Sequence, residues 1–176
     1  MKILIIGGSG SGTTTLGREL ADVIEFQHLD VDDYYWKPTD PPFQHKVAMA
    51  VRAENLRNDF EKYENVIVSG SLVSWTGNWQ TVFDLIVFVT LDKEIRIKRL
   101  EQREVERYGD KLQTDPKIKE TSEAFLDWAT RYDDFKFTGR SIKIHRDWLA
   151  SVSCEVVEVD SKNAVEYNVF EILEKF

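Results

Sequence analysis

A chain of 176 residues can build one domain around a sizeable core and is too short for two full ones, so positions 1–176 are read as a single domain. Its 42% hydrophobic and 31% charged residues exclude a disordered, collagen-like or coiled-coil chain, and a net charge of -8 with a pI near 5.0 excludes a generic nucleic-acid binder. No apolar run reaches the roughly 18 to 20 residues that span a bilayer, the apolar start after Met1-Lys2 is too short for a signal peptide, and Cys154 is alone, which together predict a cytoplasmic protein with no membrane partner.

Ile3-Leu4-Ile5-Ile6 is a continuous branched apolar run closed by Gly7, the pattern of a strand buried on both faces of a parallel sheet. The loop that follows, Gly7-Gly8-Ser9-Gly10-Ser11-Gly12-Thr13-Thr14-Thr15, leads into a helical stretch from Leu16 to Val23. A glycine-rich turn between a buried strand and a helix can wrap its backbone N–H groups around phosphates, and the helix adds its positive N-terminal end. Every residue from Gly7 to Thr15 is therefore a candidate for binding a phosphorylated cofactor. A shorter strand is predicted between Glu25 and Leu29. Beyond it stand Asp30, Asp32 and Asp33, at the strand end where ligands of open α/β sheets bind, so these carboxylates can serve a metal ion or an acceptor hydroxyl beside the phosphates. His28 lacks a second histidine at metal-site spacing and reads as a packed or capping residue. Tyr34, Tyr35, Trp36 and Phe43 offer flat surfaces for stacking, and Lys37 to Phe43 reads as a Pro-rich loop.

Met49, Ala53, Leu56 and Phe60 recur at helical spacing, and Val66-Ile67-Val68 is a third strand that ends in Ser69-Gly70-Ser71 without a carboxylate. Trp75 and Trp79, four apart, suit either stacking on a flat ring or core packing on a helix. Leu85 to Val89 is a fourth strand. From Asp92 to Tyr108, Arg96, Arg99, Arg103 and Arg107 fall at i, i+3, i+7 and i+11, which places four guanidinium groups along one helix face. In an acidic protein this local reversal of sign reads as an anion clamp, or else as a solvated face balanced by Glu94, Glu101, Glu104 and Glu106. Gly109 to Pro116 reads as a second loop. Phe125, Trp128, Ala129 and Tyr132 form a further helical pattern, and Arg131, Arg140 and Arg146 are either further members of the clamp or surface residues. Val156 to Val159 is a fifth strand, and Val165, Val169, Ile172, Leu173 and Phe176 close the chain as a helix. Strands alternating with helices predict a three-layer, doubly wound α/β fold around a five-stranded parallel sheet.

The first loop resembles the P-loop of NTPases and kinases, whose Walker A pattern is Gly-x-x-x-x-Gly-Lys-Ser/Thr: Gly7, Gly12 and Thr14 match, and Thr13 stands where the lysine belongs. Asp32-Asp33-Tyr34-Tyr35 followed by Lys37-Pro38 is similar to a segment of uridine and nicotinamide riboside kinases, with Trp36 as an extra residue. The arginine helix resembles the helix and lid of nucleoside monophosphate kinases, the adenylate kinases among them. The resemblance to these compact P-loop small-molecule kinases runs from Lys2 to Arg146. It implies a P-loop NTPase fold with strand order 2-3-1-4-5, ATP or GTP as donor with Mg²⁺, and transfer to a small-molecule acceptor, a nucleoside or nucleotide first. It also implies a substrate region around 34–62 and a lid around 103–140.

On the same resemblance Asp32 is the catalytic base, and Asp33 or Asp30 positions the metal and the hydroxyl. Thr14 and Asp30 hold Mg²⁺. Arg103 and Arg107 reach over the nucleotide in place of the lysine, and Arg96 matters less. The Walker B aspartate of the family is missing after the third strand, which leaves Asp30 to Asp33 as the source of an acidic metal ligand. Thr13 supports a second expectation, a nucleotide-binding regulatory protein or weakly active NTPase that transfers poorly.

Overall fold

The computed structural model describes residues Met1–Phe176. Five strands, β1 (Lys2–Gly7), β2 (Gln27–Asp30), β3 (Val66–Ser69), β4 (Leu85–Thr90) and β5 (Glu155–Asp160), form one sheet in the order β2-β3-β1-β4-β5 with every pairing parallel. Parallel neighbours need crossover connections, and helices on both faces supply them. The expected fold and strand order are those observed.

The continuous apolar run of β1 is explained by its two-sided burial. Ile3 and Ile5 pack on one face with Leu16 and Leu20 of α1 (Thr13–Ile24) and with Val169 and Ile172 of α8 (Val165–Leu173). Leu4 and Ile6 pack on the other face, in a cluster that includes Leu56 and Phe60 of α3 (Met49–Lys62) and Trp148 of α7 (Ile142–Leu149). A strand with both faces in the core has no polar alternation to keep. β5, at the edge, buries only Val159.

Several local expectations change. Asp30 caps a short helix, α2 (Val31–Tyr35), by accepting a hydrogen bond from the Asp32 N–H at 2.9 Å, so the acidic segment is helical. α4 (Lys93–Tyr108) is the arginine helix. The stretch Gly109 to Pro116, expected as a loop, contains α5 (Lys111–Thr114). α6 (Pro116–Thr130) starts earlier than its apolar repeat suggested, because Asp115 caps it through the N–H groups of Lys117 and Ile118 and Pro116 fits its first turn. Tyr132 lies beyond that helix, in the 3₁₀ turn Arg131–Asp133. Neither Trp75 nor Trp79 is on an α-helix: Trp79 opens a 3₁₀ turn, Trp79–Thr81, and packs in the core against Phe60 and Phe83. α7 is absent from the sequence reading because its buried face mixes His145 with Trp148. No helix is long and apolar enough to cross a membrane.

Candidate active site

The C-terminal ends of the strands open onto a cleft of about 1250 Å³. Its floor is the loop between β1 and α1, and Gly7 to Gly10 and Gly12 to Thr15 all line it. Gly10 and Gly12 have φ of 84° and 95°, left-handed values that L side chains rarely adopt, and a Cβ on Gly10 would fall 2.7 Å from the Arg96 carbonyl oxygen. Gly12 is the N-terminal cap of α1 and has no side chain to bond the first amides, so these remain free for an anion. Ser11 Oγ is buried without a partner behind the loop. The donor set, main-chain N–H groups at the start of a twelve-residue helix, fits phosphate. Thr13 faces the same cleft at the first helical position and brings no charge.

Thr14 Oγ1 donates to Asp30 Oδ2 at 2.7 Å, which joins the end of the phosphate loop to the end of β2. A hydroxyl and a carboxylate are hard oxygen donors suited to Mg²⁺, which completes its shell with water and phosphate oxygens. No group of three His, Cys, Asp or Glu converges anywhere, so no all-protein metal cage exists. Asp32 lines the cleft with an exposed side chain. Desolvation by the surrounding cleft and the neighbouring Asp30 carboxylate push its carboxyl above the usual range, against the pull of Arg140, Arg103 and Arg107. Asp33 points elsewhere: it does not line the cleft, and its nearby charges are Asp30, Arg18 and His28. His28 is a packing residue, with Nε2 2.9 Å from Ser69 Oγ.

The arginine stripe divides. Arg96, only 1% exposed, is the strut of the phosphate loop: Nη1 donates to the Ser9 carbonyl oxygen at 3.0 Å and Nη2 pairs with Asp133 at 2.6 Å. It is structural rather than part of a clamp, and its effect on the loop is direct. Arg99 is held by Ser161, through Oγ at 3.0 Å and the carbonyl oxygen at 3.2 Å. Arg107 is engaged by Glu104 at 2.8 Å and lies 3.9 Å over the Phe43 ring. Arg103 lines the cleft with no hydrogen-bonded partner, and burial and the nearby Arg107 pull its pKa down.

Arg140 enters from outside the stripe, in the segment before α7. Its Nη2 donates to Ser9 Oγ at 3.3 Å, its guanidinium lies 4.9 Å over Trp128, and Nε is buried without a partner. Burial pulls its pKa down, and no carboxylate pairs with it. Arg131 lies over Phe137 and Arg146 pairs with Glu158, both away from the cleft.

Tyr35, Trp36, Phe43 and Trp75 wall the end of the cleft beyond Asp32. Arg52, 5% exposed and without a carboxylate partner, is stacked 4.0 Å over Tyr35 and 5.0 Å from Trp75. Phe125 and Trp128 of α6 also face the cleft rather than the core. Ser71, Phe125 and Trp128 line the cleft without belonging to any sequence motif, whereas Arg52, stacked on Tyr35 and Trp75, does not line it.

A family model described as an AAA domain (AAA_18) matches residues 3–125. The chain is 36% identical over 173 residues to the uncharacterized protein YqaC of Bacillus subtilis (strain 168), covering 98% of this chain and 96% of that one. A uridine kinase of Ligilactobacillus salivarius (strain UCC118) is 26% identical over 172 residues, covering 74% of this chain and 81% of that one. Among solved structures, shikimate kinase from Acinetobacter baumannii in complex with shikimate superposes with a TM-score of 0.61 at 19% identity, covering 98% of this chain and 90% of that one.

Proposed function

The chain belongs to this AAA-domain family and has the fold of P-loop small-molecule kinases, and from that premise we propose that it transfers the γ-phosphoryl group of ATP or GTP to a hydroxyl of a small acceptor, a nucleoside or nucleotide first. The observation that carries the reading is Asp32: a carboxylate with a raised pKa, opening onto the same cleft as the phosphate loop and faced by Arg103 and Arg140.

Free amides at the start of α1 bind the donor phosphates, with Thr14 and Asp30 holding Mg²⁺, which neutralises phosphate charge when bound. Asp32 accepts the proton of the acceptor hydroxyl as its oxygen attacks the γ-phosphorus. The bond from that phosphorus to the β-γ bridging oxygen breaks, and the nucleoside diphosphate leaves with the electron pair. A phosphate acceptor, already anionic, would need no such base, so Asp32 favours a hydroxyl. Charge building on the transferred group and the leaving oxygen is met by Arg103 and Arg140 in place of the Thr13-substituted lysine. Arg107, bound to Glu104 and Phe43, contributes less than the sequence implied. Asp33 is left with a supporting role on α2. The aromatic wall suits a flat base. The region 34–62 is the substrate side and 103–140 the lid.

Thr13 favours a second reading, a regulatory nucleotide binder or slow NTPase. Turnover of ATP and GTP with Mg²⁺ across a panel of nucleosides, nucleotides and small hydroxy acids separates them. Acceptor-dependent diphosphate release with a phosphorylated product is expected. Hydrolysis without an acceptor supports an NTPase, and binding without turnover supports a regulatory protein.

A further inference from the structure

Ser71, just past β3, lines the cleft while 5% exposed. The β2–β3 register pairs Asp30 with Ser69, so Ser71 lies beyond the strand ends on the side where Asp32 projects. Its Oγ is 2.9 Å from Nε2 of His145, and Nδ1 of that imidazole is 2.7 Å from the Tyr132 hydroxyl. His145 is fully buried, and Tyr132 packs against Gly8 of the phosphate loop. Neither Ser71 nor Tyr132 has another hydrogen-bonded side-chain partner.

This three-residue chain has only two neutral arrangements. If Nδ1 carried the proton, it would donate to Tyr132 and Ser71 would donate to Nε2, which leaves the phenol proton over, buried and away from the cleft, with no acceptor. If Nε2 carries it, Tyr132 donates to Nδ1 and Nε2–H donates to Ser71 Oγ, and the proton left over is at the wall of the cleft, where a bound group can accept it. Burial depresses the His145 pKa to about 3 and raises that of Tyr132, so neither the imidazolium nor the phenolate competes near neutral pH. The second arrangement leaves one proton without a partner in the protein, that of Ser71 itself, and it stands at the cleft wall.

We infer that Ser71 is a specificity-determining hydrogen-bond donor to the acceptor substrate, held in that polarity by His145 and Tyr132 as positioning residues. It selects an acceptor that presents an oxygen lone pair, a carbonyl, hydroxyl or carboxylate, beside the hydroxyl that Asp32 deprotonates. The assignment of the ligand rests on the kinase reading above; the polarity of the chain does not.

The test has two arms. ¹⁵N NMR of the imidazole, assigned with His145→Gln, is expected to show the Nε2–H tautomer in the free protein, and an Nδ1–H tautomer overturns the inference whatever the enzyme does. In the kinetic arm, Ser71→Ala is expected to raise the acceptor KM about five- to tenfold with the ATP KM within about twofold. Ser71→Thr, which keeps the hydroxyl, is expected to restore most of that loss, and Tyr132→Phe, which frees the tautomer, to fall between. An unchanged acceptor KM in Ser71→Ala, or a loss confined to ATP, overturns the inference. Absence of turnover with every acceptor refutes the kinase reading and the acceptor role together, while the NMR result still stands or falls separately.

Discussion

The two halves of the cleft are built from different materials. One half is main chain: the amides of the Gly7 to Thr15 loop and the start of α1, with Gly10 and Gly12 in conformations that leave little choice of residue. The other half is side chain, brought from separate segments: Asp32 from α2, Arg103 from α4, Arg140 from the segment before α7, and Ser71 from just past β3. A main-chain cradle depends little on any one side chain, so the proposed phosphate binding does not require a charge at Thr13. The side-chain half has no such reserve, because each group has one position and no neighbour that duplicates it.

Substitutions in the two halves should therefore separate binding from chemistry. The largest effect is expected from Asp32→Asn, with kcat down by about 10²- to 10⁴-fold and ATP affinity nearly unchanged, read by single-turnover transfer and calorimetry. The same substitution is expected to raise the melting temperature at pH 7. A carboxyl whose folded pKa is raised contributes stability that is present below its unfolded pKa and lost as pH rises through the folded one, and Asn removes that loss. In wild type, the raised pKa also moves the acid limb of acceptor kcat/KM above the ordinary carboxylate range, and Asp32→Asn should abolish that limb.

Gly10→Ala should break the other half. A β-carbon at φ 84° and 2.7 Å from the Arg96 carbonyl oxygen forces the loop to shift, and ATP affinity is expected to fall about tenfold or more, in line with a strain of about 1–3 kcal/mol. Calorimetry with ATP reads it. A smaller effect is expected on stability against pH. His145, near 3 when folded and near 6.5 when unfolded, lets the unfolded chain take up a proton that the native one refuses. Stability should decline as pH falls from about 6.5 toward 3, by at most about 1.4 kcal/mol per pH unit from this group. Urea unfolding from pH 7 to 4 should give a shallower decline in His145→Gln. The smallest effect is expected from Thr13→Lys: with Arg103 and Arg140 already present, turnover should change by no more than about threefold.

The same contrast decides what was legible in the sequence. β1 and the glycine loop are local: a branched apolar run, a turn that needs left-handed residues and a helix start all lie within Lys2 to Ile24, and they announce the fold and the floor of the cleft. The remaining strands are short apolar runs and were read for the same reason. Asp30 and Asp32 were legible because they stand at and just past the end of a strand. The cations were less so. Periodicity placed Arg96, Arg99, Arg103 and Arg107 along one helix face, yet it could not tell that the phosphate loop lies over Arg96 while Glu104 and Phe43 occupy Arg107. Arg140 acts across 131 positions of sequence, through Ser9, and only the folded chain brings the two together. The Ser71–His145–Tyr132 chain is long-range for the same reason, and none of its members carries a motif.

On the proposed function, Arg103 and Arg140 supply the charge that the phosphate loop lacks at Thr13. Single-turnover transfer in Arg140→Ala and Arg103→Ala, each measured beside its ATP affinity, tests it most directly. Transfer is expected to fall by about 10²-fold or more in Arg140→Ala and by a similar or smaller factor in Arg103→Ala, with ATP affinity within a few-fold of wild type. Unchanged transfer in both variants would contradict it.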